Sequence, residues 1–209
     1  IMKICSIILL AGDSLRFKYL TPKQYFKHNN ELLVNYSIKK FNQNKLISNV
    51  ILVVNPQKFK VFKKHVFKSN KIMVIKGGKT RQESAFNALR YIHKVKKYSH
   101  VIIHDAARPY FSHKLLNKII FNLKKKDCVV PAISSTDTVI FKQKIQNRNK
   151  TLLIQTPQGF NYNLLYNLFK KNREKITDEY SLFYKNKKNV KIIKGEHTNI
   201  KINTPSDLF

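Results

Sequence analysis

The 209-residue sequence contains no tryptophan, only two cysteines and few glycines. Cys5 and Cys128 lie in apolar, strand-like runs without metal-ligand spacing, which predicts buried thiols in a reducing compartment and a cytoplasmic protein. No apolar stretch reaches the roughly 20 residues that cross a bilayer, so we expect no membrane contact. The first apolar run also lacks the length and cleavage site of a secretory signal.

Acidic residues are scarce as well: 11 stand against 41 lysines and arginines, which leaves a net charge of +30. Clustered basic residues would indicate a nucleic-acid-binding protein, because they neutralise phosphates and release counterions. Here they are scattered through every segment, in a chain rich in Lys, Asn, Ile, Phe and Tyr, as AT-rich coding produces. No helix-turn-helix, zinc or RNA-binding string is present, so nucleic-acid binding is the less favoured alternative.

Short apolar runs alternate with helical patterns along most of the chain. This alternation predicts right-handed βαβ units and therefore an α/β fold, a Rossmann-like, mostly parallel sheet with helices on both faces. The length is compatible with one domain over residues 1–209. The expected strands of the alternating part lie at 4–10, 50–54, 72–75, 100–104 and 128–133.

The alternation ends after Pro131. Residues 138–141 and 152–155 are strand-like, and the stretch between them is rich in Asn and Lys. This pattern predicts a β-hairpin arm over approximately residues 134–152, too polar at its tip to belong to the core. Late strands are expected at 191–193 and 200–202.

The loop after the first strand has the small residues Ala11 and Gly12, which let backbone N–H groups approach a phosphate. Arg16 and Lys23 add positive charge. The loop has neither the Walker spacing nor the glycines of a dinucleotide fingerprint. An ordinary strand-to-helix turn with solvated basic residues would look the same.

Two later loops also follow predicted strands, where ligands of such sheets bind. The second, at residues 77–80, leads into a helix whose free amides favour an anion or a polar base edge. A tight turn with a helix cap explains it equally well, because Thr80 stands three residues before Glu83, which is the spacing of a capping box. In the third, His104 to Pro109, Asp105 suits ribose hydroxyls or Mg2+ and Arg108 suits a phosphate.

Taken together, these strings resemble the 2-C-methyl-D-erythritol 4-phosphate cytidylyltransferases of the non-mevalonate isoprenoid pathway, from Ile4 to about Leu208. His104 to Pro109 is the most specific string. The other matching strings, in the family's order, are Ala11-Gly12 with Arg16, Pro22 to Tyr25, Gly77-Gly78 with Arg81 and Ser84, Asp137-Thr138, Arg148-Asn149, Thr156-Pro157-Gln158, Thr177-Asp178-Glu179 and Asn199-Ile200-Lys201.

The resemblance implies a cytidylyltransferase that transfers CMP from CTP to 2-C-methyl-D-erythritol 4-phosphate, releasing pyrophosphate. It implies Mg2+ or another divalent cation as cofactor, with unidentified protein ligands, and a homodimer whose arm completes the active site of the neighbouring subunit. Ribitol-5-phosphate cytidylyltransferases share the strings and are the nearest alternative. No catalytic His or Cys is expected, because a phosphate monoester is largely dianionic near neutrality and can itself attack the α-phosphorus.

The resemblance also implies a role for each matching position. The CTP-binding residues would be Leu10, Ala11, Gly12, Arg16, Lys23, Gly78, Lys79, Ser84, Asp105 and Ala106. The acceptor-binding residues would be Asp105, Arg108, Thr138, Arg148, Thr156, Thr177 and Lys201, and the catalytic residues Arg16, Lys23, Arg148 and Lys201. Leu10, Ser14 and Lys79 depart from the small residue, the glycine and the aspartate that the family usually has there.

Overall fold

The structure is a computed structural model that describes residues 2–12, 26–60, 62, 67–95 and 97–208. The strands are β1 (Ile4–Leu9), β2 (Lys27–His28), β3 (Glu31–Leu32), β4 (Ile47–Val54), β5 (Ile72–Lys76), β6 (His100–Asp105), β7 (Cys128–Ser134), β8 (Val139–Phe141), β9 (Lys144–Gln146), β10 (Leu152–Ile154), β11 (Gln158–Asn161) and β12 (Val190–Lys194). The helices include α1 (Leu33–Gln43), α2 (Arg81–Val95), α3 (His113–Leu123), α4 (Tyr162–Lys171) and α5 (Tyr180–Lys185).

Eight strands form the central sheet. Strands β6, β1, β4 and β5 lie side by side and parallel, as the alternating sequence predicts. Strand β11 pairs antiparallel with both β6 and β7, while β12 runs parallel to β7 along its other edge. The predicted mostly parallel, Rossmann-like sheet is confirmed, with two antiparallel strands, β10 and β11, added.

Both faces of the sheet are covered. Every residue of β1 is buried, and its side chains alternate between two apolar clusters: Ile4 and Ile8 belong to one, Cys5 and Ile7 to the other. Helices α1 and α3 pack in the first cluster, and α2 and α4 in the second. The carboxyl ends of the parallel strands therefore remain the open edge at which a ligand can bind.

The arm is built differently from the predicted hairpin. Strand β8 pairs with β9, and Lys142 and Gln143 between them both have positive φ, the backbone of a two-residue hairpin turn. Strand β10 instead pairs with β7, where Leu153 lies opposite Ile133. The predicted pairing of 138–141 with 152–155 is therefore wrong, because the tight turn closes the hairpin early and the chain returns to the sheet.

The expected strand at 200–202 is also absent from the described chain. The N–H of Ile202 donates to the carbonyl of Ala107 at 2.8 Å. The Ile202 side chain is buried in a small cluster with Leu33 and Leu208. The apolar residue thus anchors this segment against the loop after β6 instead of extending the sheet, and it brings Lys201 beside that loop.

Candidate active site

Asp105, the last residue of β6, stands at the open edge of the sheet between two cations. Its Oδ1 accepts a hydrogen bond from Arg81 Nε at 3.0 Å, and its Oδ2 accepts one from Lys201 Nζ at 2.8 Å. Burial by itself raises the pKa of this carboxyl, but the Arg81 guanidinium and the Lys201 ammonium outweigh it and hold the pKa well below the usual range. Asp105 is therefore ionised at neutral pH.

Arg81 occupies the first turn of α2 and joins two carboxylates. Its Nη1 and Nη2 donate to the two oxygens of Glu179 at 2.7 and 3.0 Å, while its Nε reaches Asp105. Glu179 is fully buried, with 0% of its side chain exposed. Burial opposes the charge of Arg81, yet Glu179 and Asp105 together raise its pKa. The guanidinium of Arg81 is thus a positive charge that is held in place between Asp105 and Glu179.

Arg81 and Glu179 lie in strings that resemble the family but were not among the predicted site residues. A cation in the first turn of a helix is opposed by the helix dipole, which is a signal that Arg81 has an acidic partner. Nothing in the spacing points to Glu179, which lies 98 residues further along the chain. Only the fold brings these two residues together.

Lys201 is held at the site by its neighbours in the chain. Ile202 is anchored to Ala107, and the N–H groups of Asn203 and Thr204 both donate to Asp207 Oδ2, at 2.7 and 2.9 Å. The side chain of Lys201 is 38% exposed, so its ammonium faces solvent as well as Asp105. Its position permits contact with an incoming anion.

A buried hydrogen-bond chain supports the backbone of Asp105. The Asp105 N–H donates to Thr156 Oγ1 at 3.1 Å, Thr156 Oγ1 lies 3.1 Å from His104 Nδ1, and His104 Nε2 lies 3.1 Å from the carbonyl of Arg108. Burial lowers the pKa of His104 to about 3, so the ring is neutral. A carbonyl can only accept, so Nε2 carries the hydrogen and Nδ1 accepts from the Thr156 hydroxyl. Thr156 and His104 therefore position Asp105, and His104 is no catalytic base.

Arg108 lies beside the same loop, half-buried. Its Nη1 donates to the carbonyl of Asn199 at 2.7 Å, and its Nε is buried without a hydrogen-bond partner in the described part of the chain. Burial lowers the pKa of Arg108, while the nearby Asp105 raises it. The phosphate-binding role predicted for Arg108 stays a prediction.

The glycine loop before α2 packs tightly against the first loop. A Cβ at Gly77 would lie 2.6 Å from Cβ of Ala11 and 2.8 Å from Oγ of Ser84, so only glycine fits there. The Gly78 N–H donates to Ser84 Oγ, which itself donates to the carbonyl of Thr80. These contacts bring the predicted CTP-binding loops together.

The predicted capping box of α2 is present in a modified form. The N–H of Glu83 donates to Thr80 Oγ1 at 3.0 Å, and Glu83 Oε2 accepts from the N–H of Lys79 at 2.7 Å. The side chain of Lys79 is exposed. Because the Lys79 amide is already bonded, only its side chain and carbonyl remain for a ligand.

The remaining predicted residues divide by exposure. Leu10, Ser84 and Ala106 are buried, and the N–H groups of Leu10 and Ala106 already donate within the sheet region, to Val53 and Leu9. Gly12 is exposed, and Ala11 and Gly78 are half-buried. The roles assigned to these positions in CTP binding stay predictions. Arg16 and Lys23, the cations of the first loop, lie outside the described residues.

Three predicted acceptor residues have no hydrogen bond or ion pair with Asp105 in the described part of the chain. Thr138 and Arg148 are exposed on the arm, and Thr177 is exposed just before Glu179. In residues 2–12, 26–60, 62, 67–95 and 97–208, no hydrogen bond or ion pair joins Thr138, Arg148 or Thr177 to Asp105 or Lys201. Within one chain, therefore, the described contacts bring together Asp105, Arg108, Thr156 and Lys201 but not the arm residues.

A mostly parallel sheet, with Arg81 and Lys201 on Asp105 at its carboxyl edge, defines an α/β protein, and comparison with known proteins identifies the class as nucleotidyltransferase. A sequence model described as "IspD: 2-C-methyl-D-erythritol 4-phosphate cytidylyltransferase" matches residues 4–209. The chain belongs to this family. The family, fold class and enzyme class predicted from the sequence are confirmed.

Individual relatives agree with this assignment. The chain is 48% identical to a bifunctional enzyme IspD/IspF of Pelagibacter ubique, with 99% of the chain and 56% of that protein covered. It is 36% identical to a 2-C-methyl-D-erythritol 4-phosphate cytidylyltransferase of Thermosipho melanesiensis, covering 98% of the chain and 94% of that protein. The chain thus spans about half the length of the bifunctional relative and nearly all of the other.

Solved structures show the same pattern. The bifunctional IspDF of Campylobacter jejuni superposes with a TM-score of 0.87 at 30% identity, covering 99% of this chain and 53% of that chain. The 4-diphosphocytidyl-2C-methyl-D-erythritol synthase of Anaerococcus prevotii gives a TM-score of 0.85 at 29% identity, with 99% and 95% covered. Both scores describe agreement of the whole fold, including the strands that carry the site.

Proposed function

We propose that this chain transfers CMP from CTP to 2-C-methyl-D-erythritol 4-phosphate, giving 4-diphosphocytidyl-2-C-methyl-D-erythritol and pyrophosphate. The observation that carries the proposal is the contact of Arg81 and Lys201 with Asp105 at the carboxyl edge of the sheet, in a chain that matches the family over residues 4–209. Arg108 stands in the same loop, where its backbone N–H donates to the carbonyl of Asp105. Two anions have to meet in this reaction, and positive side chains reduce their repulsion.

The reaction requires no general base from the protein. A phosphate oxygen of the acceptor forms a bond to the α-phosphorus of CTP, and the bond from that phosphorus to the oxygen bridging to the β-phosphate breaks. The electron pair leaves with pyrophosphate. The acceptor phosphate has a second pKa of about 6 and is mostly dianionic at neutral pH. A neutral, buried His104 agrees with this chemistry, because no group in the site has to remove a proton.

The residues around Asp105 can bind different parts of the two substrates. Each carboxylate oxygen can accept a second hydrogen bond, so Asp105 can bind the ribose hydroxyls of CTP while keeping its cations. The partly exposed ammonium of Lys201 can form charge-assisted hydrogen bonds to an acceptor phosphate, and the half-buried Arg108, in the same loop as Asp105, can add positive charge beside it. The resemblance adds Arg16 and Lys23 as ligands of the triphosphate.

A divalent cation fits this site only as a companion of the nucleotide. The described residues contain no group of three or more His, Cys, Asp or Glu side chains that could hold a metal ion. Asp105 is already neutralised by two cations, which makes its carboxylate a poor sole ligand. Mg2+ commonly binds through substrate phosphates, water and one or two carboxylates. We therefore propose that Mg2+ enters with the triphosphate of CTP and there reduces its charge.

The arm supports the proposal of a homodimer. Ile140, Phe141 and Ile145 are 66%, 62% and 76% exposed, although all three are large and apolar. A two-stranded hairpin with such side chains is marginal in water by itself and gains stability when another surface covers it. We propose that a second copy of the chain covers this arm, so that Thr138 and Arg148 serve the acceptor site of the partner.

The cytoplasmic location stays a prediction. Cys5 and Cys128 are both buried and free, and burial raises the pKa of both thiols. Neither thiol is therefore a nucleophile or part of a disulfide. Among the described residues, no helix combines the length and the apolar character needed to cross a bilayer.

Pyrophosphate release tests the proposed function. Purified protein is incubated with CTP and Mg2+ together with one of two acceptors, methylerythritol phosphate or ribitol 5-phosphate, and pyrophosphate is measured by a coupled assay. We expect release that depends on methylerythritol phosphate. A higher kcat/KM for ribitol 5-phosphate would transfer the proposal to that acceptor, and release no faster than without acceptor would contradict both. Replacing CTP with ATP, GTP and UTP controls for the base.

A further inference from the structure

Two carboxylates and two cations form a cluster at the carboxyl edge of the sheet: Asp105, Glu179, Arg81 and Lys201. The two cations differ in how they are held. Arg81 uses Nε for Asp105 and both Nη atoms for Glu179, so three of its donors are engaged with carboxylates. Lys201 reaches only Asp105 of this pair, at 2.8 Å. Arg81 is thus held by two carboxylates, whereas Lys201 is held by one.

The burial of the four groups follows the same division. Glu179 is 0% exposed and Arg81 28%, while Lys201 is the most exposed of the set at 38%. A buried carboxylate left without its cation is costly, so Glu179 holds Arg81 in place. The ammonium of Lys201 has a flexible stem and access to water, so it can change partners at little cost.

A consequence for the reaction follows from the shared carboxylate. If Lys201 were the sole cation beside Asp105, the attraction of that carboxylate would compete with an acceptor phosphate for the ammonium. The Arg81 guanidinium neutralises Asp105 from the other side and weakens this competition. On the basis of the proposed function, we propose that Arg81, tethered by Glu179, is the fixed counter-ion of Asp105 and leaves Lys201 available to the acceptor phosphate.

Arg81 is in this account a positioning residue that acts through Lys201. Lysine at position 81 would keep the charge but could not form the two parallel bonds to Glu179 and reach Asp105 as well. The new lysine ammonium would pair with the fully buried Glu179 and leave Asp105. The Asp105 carboxylate would then attract the ammonium of Lys201 more strongly. Glutamine at position 179 has the opposite effect: its amide oxygen still accepts a hydrogen bond that holds Arg81 in place, and Asp105 becomes the only carboxylate of the two that Arg81 pairs with.

The test measures binding of methylerythritol phosphate by calorimetry, together with the KM values of both substrates. We expect Arg81→Lys to weaken acceptor binding and raise the acceptor KM about tenfold, the scale of one lost charge-assisted contact, with the KM for CTP changed by less than about twofold. We expect Glu179→Gln to leave acceptor affinity equal or higher. Arg90→Lys, the same exchange at an exposed position of α2, is the matched control.

A double-mutant cycle with Lys201→Gln decides whether Arg81 acts through Lys201. We expect Arg81→Lys to add less than about twofold to the loss of acceptor affinity once Lys201 has been replaced, because the affected interaction is then already gone. An independent tenfold loss in that background would overturn the proposal, as would equal losses for CTP and acceptor. These would show that Arg81 merely supports the fold.

Outcomes for this proposal and for the proposed function can be told apart. If the wild type binds methylerythritol phosphate but releases no pyrophosphate, the proposed reaction fails, and the binding cycle still decides the role of Arg81. If the wild type does not bind methylerythritol phosphate, the inference is overturned too. Should Arg81→Lys fail to fold, Glu179→Gln is sufficient, since a loss of acceptor affinity greater than about threefold contradicts the proposed competition.

Discussion

Glu179 and Arg81 form a two-bond ion pair between residues that are 98 positions apart, with N–O distances of 2.7 and 3.0 Å. The pair joins the start of α2 to the residue just before α5, beneath the open edge of the sheet. Glu179 is completely buried, and within the described residues Arg81 is the cation that contacts its carboxylate. The pair therefore affects both the stability of the fold and the charge of the site.

Removing only one partner of this pair is expected to destabilise the fold. Arg81→Met leaves the buried Glu179 carboxylate uncompensated, which should lower the free energy of unfolding by about 3–5 kcal/mol. The double variant Arg81→Met with Glu179→Met should recover most of that loss. Urea unfolding measures each value. Lys39→Met, which breaks the partly exposed pair of Lys39 with Glu31, should cost less than about 1 kcal/mol. An equal loss there would contradict the account.

His104 should make stability depend on pH. Its pKa is about 3 in the fold and near 6.5 when unfolded. Between these values the unfolded chain binds one more proton, so stability is complete above the unfolded pKa and falls as the solution is acidified. Lowering the pH from 7.5 to 5 should therefore reduce the free energy of unfolding by about 2 kcal/mol, because His104 is protonated in the unfolded chain.

The test of this contribution compares the wild type with His104→Asn by urea unfolding at both pH values. The variant should be less stable at pH 7.5, because Thr156 and Arg108 lose buried hydrogen bonds. Its stability should nevertheless fall less on acidification than that of the wild type. Equal decreases for the two proteins would exclude His104 as a source of the pH dependence.

Lys201 is expected to matter for catalysis and little for folding. Replacing it with glutamine removes one phosphate contact and should reduce kcat/KM for pyrophosphate release about 100- to 1000-fold. The side chain is partly exposed and Asp105 keeps Arg81, so the midpoint of urea unfolding should hardly move. Lys125→Gln, on the exposed surface after α3, is the control and should leave both quantities unchanged.

Gly12, a predicted CTP-binding residue, and Gly77, which precedes the predicted CTP-binding residue Gly78, should respond differently to alanine. Gly77→Ala places a Cβ against Ala11 and Ser84 and should cost about 1–3 kcal/mol of stability. A Cβ at Gly12 meets no described atom within 4 Å, so Gly12→Ala should fold normally. If the triphosphate has to approach the backbone at Gly12 closely, the Gly12→Ala variant should have a higher KM for CTP. An unchanged KM would remove Gly12 from the CTP site.

The arm should control oligomeric state. Ile145→Asp places a charge on its apolar surface and should convert a dimer into a monomer in sedimentation experiments. In mixtures of inactive Arg148→Ala and Lys201→Ala proteins, random exchange gives heterodimers in half of the cases, and each has one intact shared site, so about a quarter of wild-type activity should return. Activity that stays at the level of the separate variants would contradict a shared site.

Periodic and local features could be predicted from the sequence. The alternation of strands and helices indicated the sheet, and the apolar stripe of α3 is the buried face of that helix. The spacing of Thr80 and Glu83 indicated the start of α2. Asp105 and Arg108 could be predicted as site residues, because the carboxyl edge of a parallel sheet concentrates the loops that bind ligands.

The features that escaped prediction depend on distant contacts. Ile200 to Ile202 has the apolar pattern of a strand, but burial of Ile202 beside Leu33 and Leu208 determined its position. Residues 152–154 pair with β7, a choice that depends on which edge of the sheet is free. The partner of Arg81 could not be predicted from spacing, since a pair separated by so much chain leaves no local pattern.

The most direct measurement of the central claim is a phosphorus NMR time course of protein, CTP, Mg2+ and methylerythritol phosphate. The account predicts loss of the acceptor's monoester signal with matching growth of free pyrophosphate and of the two coupled phosphorus signals of a new diphosphate diester. Lys201→Gln should slow all three changes together. An acceptor signal that persists while CTP is unchanged, or is cleaved to CMP or CDP without forming the diester, would contradict it.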